Sequence, residues 1–166
     1  MRDLDWLTVV LVGALGWLWF QEGGGMTVGT ITEDPATWPA GDRLWDVCRA
    51  VARAEGYDQA GSAPYRLNTP GDLSPGDEGG YAVAGPAEFH GGSYVIHFAS
   101  AADGWNALRH KFNNIASGHS SVYGSDWSIE QIAATYAGDA VSWGRNVAAF
   151  LNVDVTATLD EILRGL

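Results

Sequence analysis

The chain has 166 residues, enough for one compact domain with a core of its own. Apolar residues make up 46% and charged residues 17%, which excludes a disordered polymer. The formal net charge is -11 and Lys111 is the sole lysine, so nothing would neutralise a run of phosphates and nucleic acid is excluded as a partner.

The first segment differs from the rest. "WLTVVLVGALGWLWF", from Trp6 to Phe20, carries no charge. As a helix it covers about 22 Å, near the lower limit for crossing a bilayer once Leu4 and the flanks are added. Trp6 stands at one end and Trp17, Trp19 and Phe20 at the other, as interfacial aromatic belts do. The reading is a single uncleaved membrane span over residues 1–22, with residues 4–20 in the lipid. A cleaved signal peptide is the competing reading, and a buried helix the third. Against cleavage, the start holds one arginine and two aspartates, and no small-x-small site follows the run. Residues 23–41, with Gly, Thr and two prolines and no periodicity, predict a flexible tether.

A folded domain is predicted over residues 42–166. "DRLWDVCRAVARAEG" is a helix with Asp42 as its N-cap and Gly56 as its stop. The one cysteine, Cys48, falls on the apolar side of that helix and reads as a buried thiol, and a lone cysteine rules out an intrachain disulfide. From about residue 57 to 99 the chain is rich in Gly and Pro. "PYRLNTPGDL", residues 64–73, combines tight, irregular backbone with a row of hydrogen-bonding side chains, and "EFHGGSYVIHF" predicts a hairpin turning at Gly91-Gly92, with Tyr94, Ile96 and Phe98 on one face. Further helices follow. Ser100 and Asp103 cap one that buries Trp105, Leu108, Phe112 and Ile115. Ser128 and Gln131 cap a second, "AVSWGRNVAAFL" buries Trp143, Val147 and Phe150, and Thr158 and Glu161 cap the last. The fold class is α+β, mostly helical, with a small β-hairpin between the first and second core helices.

One carboxylate stands on an apolar face. Leu44, Cys48, Val51 and Glu55 fall at i, i+4, i+7 and i+11, so at roughly 100° per residue Glu55 projects only about 20° from Leu44. Arg43, Asp46, Ala50 and Arg53 take another face. Burial and a helix C-terminus both raise a carboxyl pKa, which is how a glutamic acid stays protonated near neutral pH and serves as a general acid. The alternative is a helix-end glutamate bent into solvent or paired with Arg53 or Arg66.

The order of "ARAEGY", "PYRLNTPGDL" and "FASAADGWNAL" resembles a phage-associated group of lysozyme-superfamily, lytic transglycosylase-like proteins. There a helix ending in Glu-Gly is followed by an Arg-x-Asn-Asn-Pro-Gly-Asp/Asn-Leu/Ile loop, a hairpin and a Phe-…-Gly-Trp/Tyr-x-Ala-Leu helix. "ATYAGDAVSWGRNV" is similar to the Tyr-Asn-x-Gly helix end of soluble lytic transglycosylases. The resemblance covers roughly residues 44–166, and it departs at Thr69 and Ala137, where the pattern has asparagines. It implies a lysozyme-like domain with Glu55 as the catalytic acid. The loop then crosses the floor of a saccharide cleft, with Tyr65, Arg66, Asn68, Asp72 and Tyr136 as substrate-binding candidates. For Asn68 and Asp72, local turn bonding is the alternative; for Arg66, an acidic partner; for Tyr136, a core position.

The resulting expectation is a membrane-anchored enzyme that cleaves peptidoglycan glycan strands, encoded by a phage or prophage. It would sit in a virion membrane or a bacterial inner membrane, with its domain facing the periplasm or cell wall. A non-catalytic virion or membrane protein with a lysozyme-like wall-binding or assembly module is the second expectation, since fold does not guarantee activity. No cofactor is expected. His90, His97, His110 and His119 lack metal spacing, and Asp72, Asp77 and Glu78 lack the periodicity of a calcium loop. The candidates for a second carboxylate, Asp58, Asp72, Asp77, Glu78 and Glu88, all lie in Gly/Pro-rich backbone with no apolar stripe to hold them opposite Glu55. That favours attack by the sugar's own 6-hydroxyl and 1,6-anhydromuramyl ends over reducing ends.

Overall fold

A computed structural model describes residues 41–166. The predicted membrane span, and the predicted tether as far as residue 40, lie outside the described residues. Helix α1, Arg43–Ala54, begins where Asp42 accepts hydrogen bonds from the backbone N–H groups of Leu44 at 3.1 Å and Trp45 at 3.4 Å. It ends at the C-cap Glu55, after which Gly56 takes a left-handed φ of 79° that a residue with a side chain resists. α1 buries more than its predicted stripe. Of that stripe Cys48 and Val51 are buried and Leu44 is half-buried, and Trp45, Val47, Ala50 and Ala52 join them in the core, because helices pack on α1 from several sides.

The Gly/Pro-rich stretch is more ordered than its composition predicts. Ser62 caps a single helical turn, α2, Ala63–Arg66, with Pro64 in the first turn, where its missing N–H goes unneeded. Strands β1, Glu88–His90, and β2, Ser93–Val95, pair antiparallel with Phe89 opposite Tyr94 and His90 opposite Ser93. Gly91 and Gly92, at φ 58° and 96°, make the two-residue turn predicted from sequence. The predicted shared face of Tyr94, Ile96 and Phe98 is not formed. β2 ends at Val95, Val95 and Ile96 are both buried, and Tyr94 points out to meet the Phe89 ring at 5.4 Å between centroids.

Four helices complete the domain. α3, Ala101–Ala116, is capped by Ser100 and buries Trp105, Leu108, Phe112 and Ile115. α4, Ile129–Tyr136, and α6, Leu159–Arg164, both open with the predicted capping boxes, Ser128 with Gln131 and Thr158 with Glu161. The two caps are joined to each other by an antiparallel bridge between Ser128 and Thr158. α5, Ala140–Leu151, buries Trp143 and Val147, but Phe150 is 40% exposed, contrary to the prediction, and lies under the Arg53 guanidinium at 5.4 Å. α1 is the hub: it packs on α3, α5 and α6, and α5 packs on α4. The described residues thus form an α+β domain, mainly helical, with one two-stranded antiparallel hairpin. Among them no helix is long and apolar enough to cross a membrane.

Two glycines set how closely α3 and α4 approach the loop after α2. A Cβ on Gly104, inside α3, would stand 1.8 Å from the Asn68 carbonyl oxygen. A Cβ on Gly71 would stand 2.4 Å from Leu108 and 2.8 Å from the Tyr136 hydroxyl. Neither position has room for a side chain, so residues 68–71 lie directly against the helices.

Candidate active site

Glu55 does not bend into solvent, nor does it pair with Arg53 or Arg66. As the C-cap of α1 it stays on the line of the apolar face and meets α5, where the Trp143 indole Nε1–H donates to its Oε1 at 2.7 Å. A buried indole needs an acceptor, and this carboxyl supplies one. The Glu55 carboxyl is pushed up to about 7, chiefly by burial; the Trp143 hydrogen bond pulls the other way, and the negative charge of Asp72 adds to the rise. A carboxylic acid held protonated to near neutrality has the property a general acid requires.

Asp72 is the second ionisable group here, and its backbone is fixed from both sides. Its N–H donates to the Thr69 carbonyl at 3.0 Å, and the N–H of Leu73 donates to the buried Thr69 hydroxyl at 3.0 Å. Thr69, one of the departures from the resembling pattern, therefore closes the turn. Leu73 accepts from the N–H of Ile96 at 2.8 Å, and Gly71 accepts from the Tyr136 hydroxyl at 2.5 Å. Asp72 itself sits at φ 49°, a left-handed conformation that Asp and Asn tolerate better than most residues. Burial raises its carboxyl pKa, opposed by the charge of His90 at the end of β1. Oδ1 of Asp72 is buried and accepts no hydrogen bond among the described residues.

Glu55, Asp72 and Tyr136 line one open cleft of about 690 Å³. The hairpin turn, Gly91 to Ser93, forms part of its wall, and the α4–α5 connection with Ala137 and Asp139, continued by Ser142 in the first turn of α5, forms another. Tyr136 is half-buried against the core, desolvation pushes its phenol pKa well up, and its hydroxyl holds Gly71 rather than Glu55. Behind the cleft, Lys111 bonds Asp77 at 2.7 Å and lies 5.0 Å from the centre of the Tyr136 ring, fixing the next turn of the same loop.

The other three predicted contacts lie elsewhere. Tyr65, Arg66 and Asn68 line a second groove of about 900 Å³ with Tyr57, Asp58 and Trp105, and none of them lines the Glu55 cleft. Arg66 faces Glu88 at 3.7 Å, both side chains about half exposed. The Asn68 amide donates to the Phe98 carbonyl at 3.2 Å while its backbone takes φ 53°, tying the loop to the end of the hairpin segment. The loop divides its residues: those before Thr69 serve one groove and Asp72 serves the other. Trp143 was legible only as a core aromatic, and His90 only as a histidine without metal spacing. The signal that would have found Trp143 is the need of a buried indole for an acceptor when Glu55 is the one acceptor on an apolar stripe.

No family model, curated protein or solved structure matches the chain. Among the described residues no group of three or more His, Cys, Asp or Glu side chains is placed to hold a metal ion. Cys48 is fully buried and burial pushes its thiol up, so it offers no nucleophile.

Proposed function

We propose that the protein is a peptidoglycan-cleaving enzyme of lysozyme-like fold that acts on glycan strands, with Glu55 as the general acid. One observation carries the reading. Glu55 is a carboxyl with a pKa near 7, oriented by a single indole donor, on the wall of an open cleft that also holds a second acidic group. Glycosidic cleavage needs a proton for the leaving oxygen at neutral pH, and this placement provides it. The resemblance of residues 44–166 to lytic transglycosylase-like proteins supports the cell-wall glycan as substrate and a phage or prophage as source. The apolar run of residues 4–20 supplies a bilayer anchor, so the domain works on wall next to a virion or inner membrane. The net charge of -11 limits adhesion to anionic wall polymers and favours turnover over retention.

The test is a zymogram of the full-length chain on purified peptidoglycan beside Glu55→Gln. A cleared band from the wild type and none from the variant is the expected result. Binding without clearing by both would replace the enzyme with a wall-binding module.

A further inference from the structure

The geometry points to Asp72 as the base that activates a water molecule in the Glu55 cleft, which makes the reaction a hydrolysis. This rests on the glycan-cleaving reading above and departs from the single-carboxylate chemistry expected from sequence. That expectation depended on the lack of any apolar stripe to hold a second carboxylate. The loop holds Asp72 by other means: the Thr69 turn at its own N–H, the Leu73 bonds after it, and the Tyr136 clamp on Gly71 before it. The close seating of Gly104 and Gly71 leaves that backbone no slack.

Three further observations favour a base over a mere loop residue. Asp72 and Glu55 line the same cleft, yet among the described residues they share no hydrogen bond. Oδ1 of Asp72 accepts no hydrogen bond among the described residues, so no donor on that oxygen lowers the basicity of the carboxylate. Burial raises both carboxyls, but the charge of His90 opposes the rise at Asp72 while the charge of Asp72 adds to the rise at Glu55, so Glu55 is the better acid and Asp72 the better base of the two.

Glu55 gives its proton to the glycosidic oxygen as the bond from that oxygen to the anomeric carbon breaks, and the leaving sugar departs as an alcohol. The water oxygen bonds to the anomeric carbon and its proton passes to Asp72. The products are a reducing-end sugar and a free hydroxyl, with Glu55 ionised and Asp72 protonated; solvent returns the proton to Glu55.

Mass spectrometry of a peptidoglycan digest by the full-length protein tests the inference. Reducing sugar ends are expected, one water heavier than anhydro ends. Anhydro ends from the wild type would overturn it while leaving the glycan-cleaving reading intact; no soluble product at all would overturn both. Asp72→Asn preserves the shape and tolerates the left-handed backbone, and should lower turnover by on the order of 100-fold. Asp72→Ala supplied with azide, a nucleophile that needs no base, should regain turnover and yield glycosyl azide ends. An Asp72→Asn protein of wild-type activity would overturn the assignment.

Discussion

The indole of Trp143 and the carboxyl of Glu55 join the first turn of α5 to the end of α1 through one hydrogen bond of 2.7 Å between residues 88 apart in sequence. That bond opposes the burial that raises the Glu55 pKa. Trp143→Phe keeps an aromatic ring in the core but removes the donor, so the Glu55 pKa should rise further. In a pH–rate profile the alkaline limb should move to higher pH. An unmoved limb would mean that the limb reports a different group.

Glu55→Gln should abolish most of the activity, by roughly 100-fold to 10,000-fold for a lost general acid. It should also stabilise the fold in a pH-dependent way. In the folded protein Glu55 stays protonated to about pH 7, whereas in the unfolded chain it ionises near 4.5. The wild type therefore keeps its full Glu55 contribution below pH 4.5 and loses it as pH rises through about 7. The variant escapes that loss, so its advantage should be near zero at pH 4 and on the order of 2–3 kcal/mol at pH 8. Urea unfolding at the two pH values measures the difference.

With Asp72 as base and Glu55 as acid, kcat/KM should follow a bell. It falls above about pH 7 as Glu55 ionises. It falls on the acid side as Asp72 takes up a proton, at a pH above the ordinary aspartate value of 3.8, since burial raises it. The two carboxyls influence one another, so the limbs belong to the pair. Asp72→Asn should erase the acid limb from its residual activity and move the alkaline one to lower pH, because the Asp72 charge that helps raise Glu55 is gone.

Tyr136→Phe removes the donor to the Gly71 carbonyl and should cost about 1 kcal/mol of stability, read as a lower unfolding midpoint. Activity should drop by more than the unfolded fraction explains, because that bond fixes the turn next to Asp72.

For the anchor, full-length protein expressed in bacteria should stay with membranes through an alkaline carbonate wash and keep its N-terminal residues on sequencing. A mature chain that lacks the first 25 residues would replace the anchor with a cleaved signal.

Local chemistry made much of the described fold legible. Asp42, Ser100, Ser128 and Thr158 cap helices where their spacing predicts, and Gly91-Gly92 turns the hairpin. These are contacts within a few residues, fixed by the backbone groups each side chain can reach. Phe150 and Tyr94 were misplaced because periodicity says which residues share a face, not which face the rest of the chain will cover. Glu55 could be singled out because its own helix states its direction. Asp72 could not be placed, since it is held by Thr69, Tyr136 and Ile96, and only the tertiary fold brings the last two to it. The same limit let Tyr65, Arg66 and Asn68 read as neighbours of Asp72 when the loop turns them into another groove.

Gly104 does not line the cleft, yet a methyl group there would collide with the Asn68 carbonyl and displace the stretch of chain that ends in Asp72. Sequence drift should respect this unevenly. Cleft-wall positions such as Ala137 and Ser142 can change size or polarity and so retune what fits the cleft. Thickening α3 behind the loop would shift one carboxyl relative to the other for every substrate alike. A saturation screen for loss of activity should therefore mark Gly104 as strictly as the acids themselves, and divergent descendants should trade specificity freely while keeping that one hydrogen in place of a side chain.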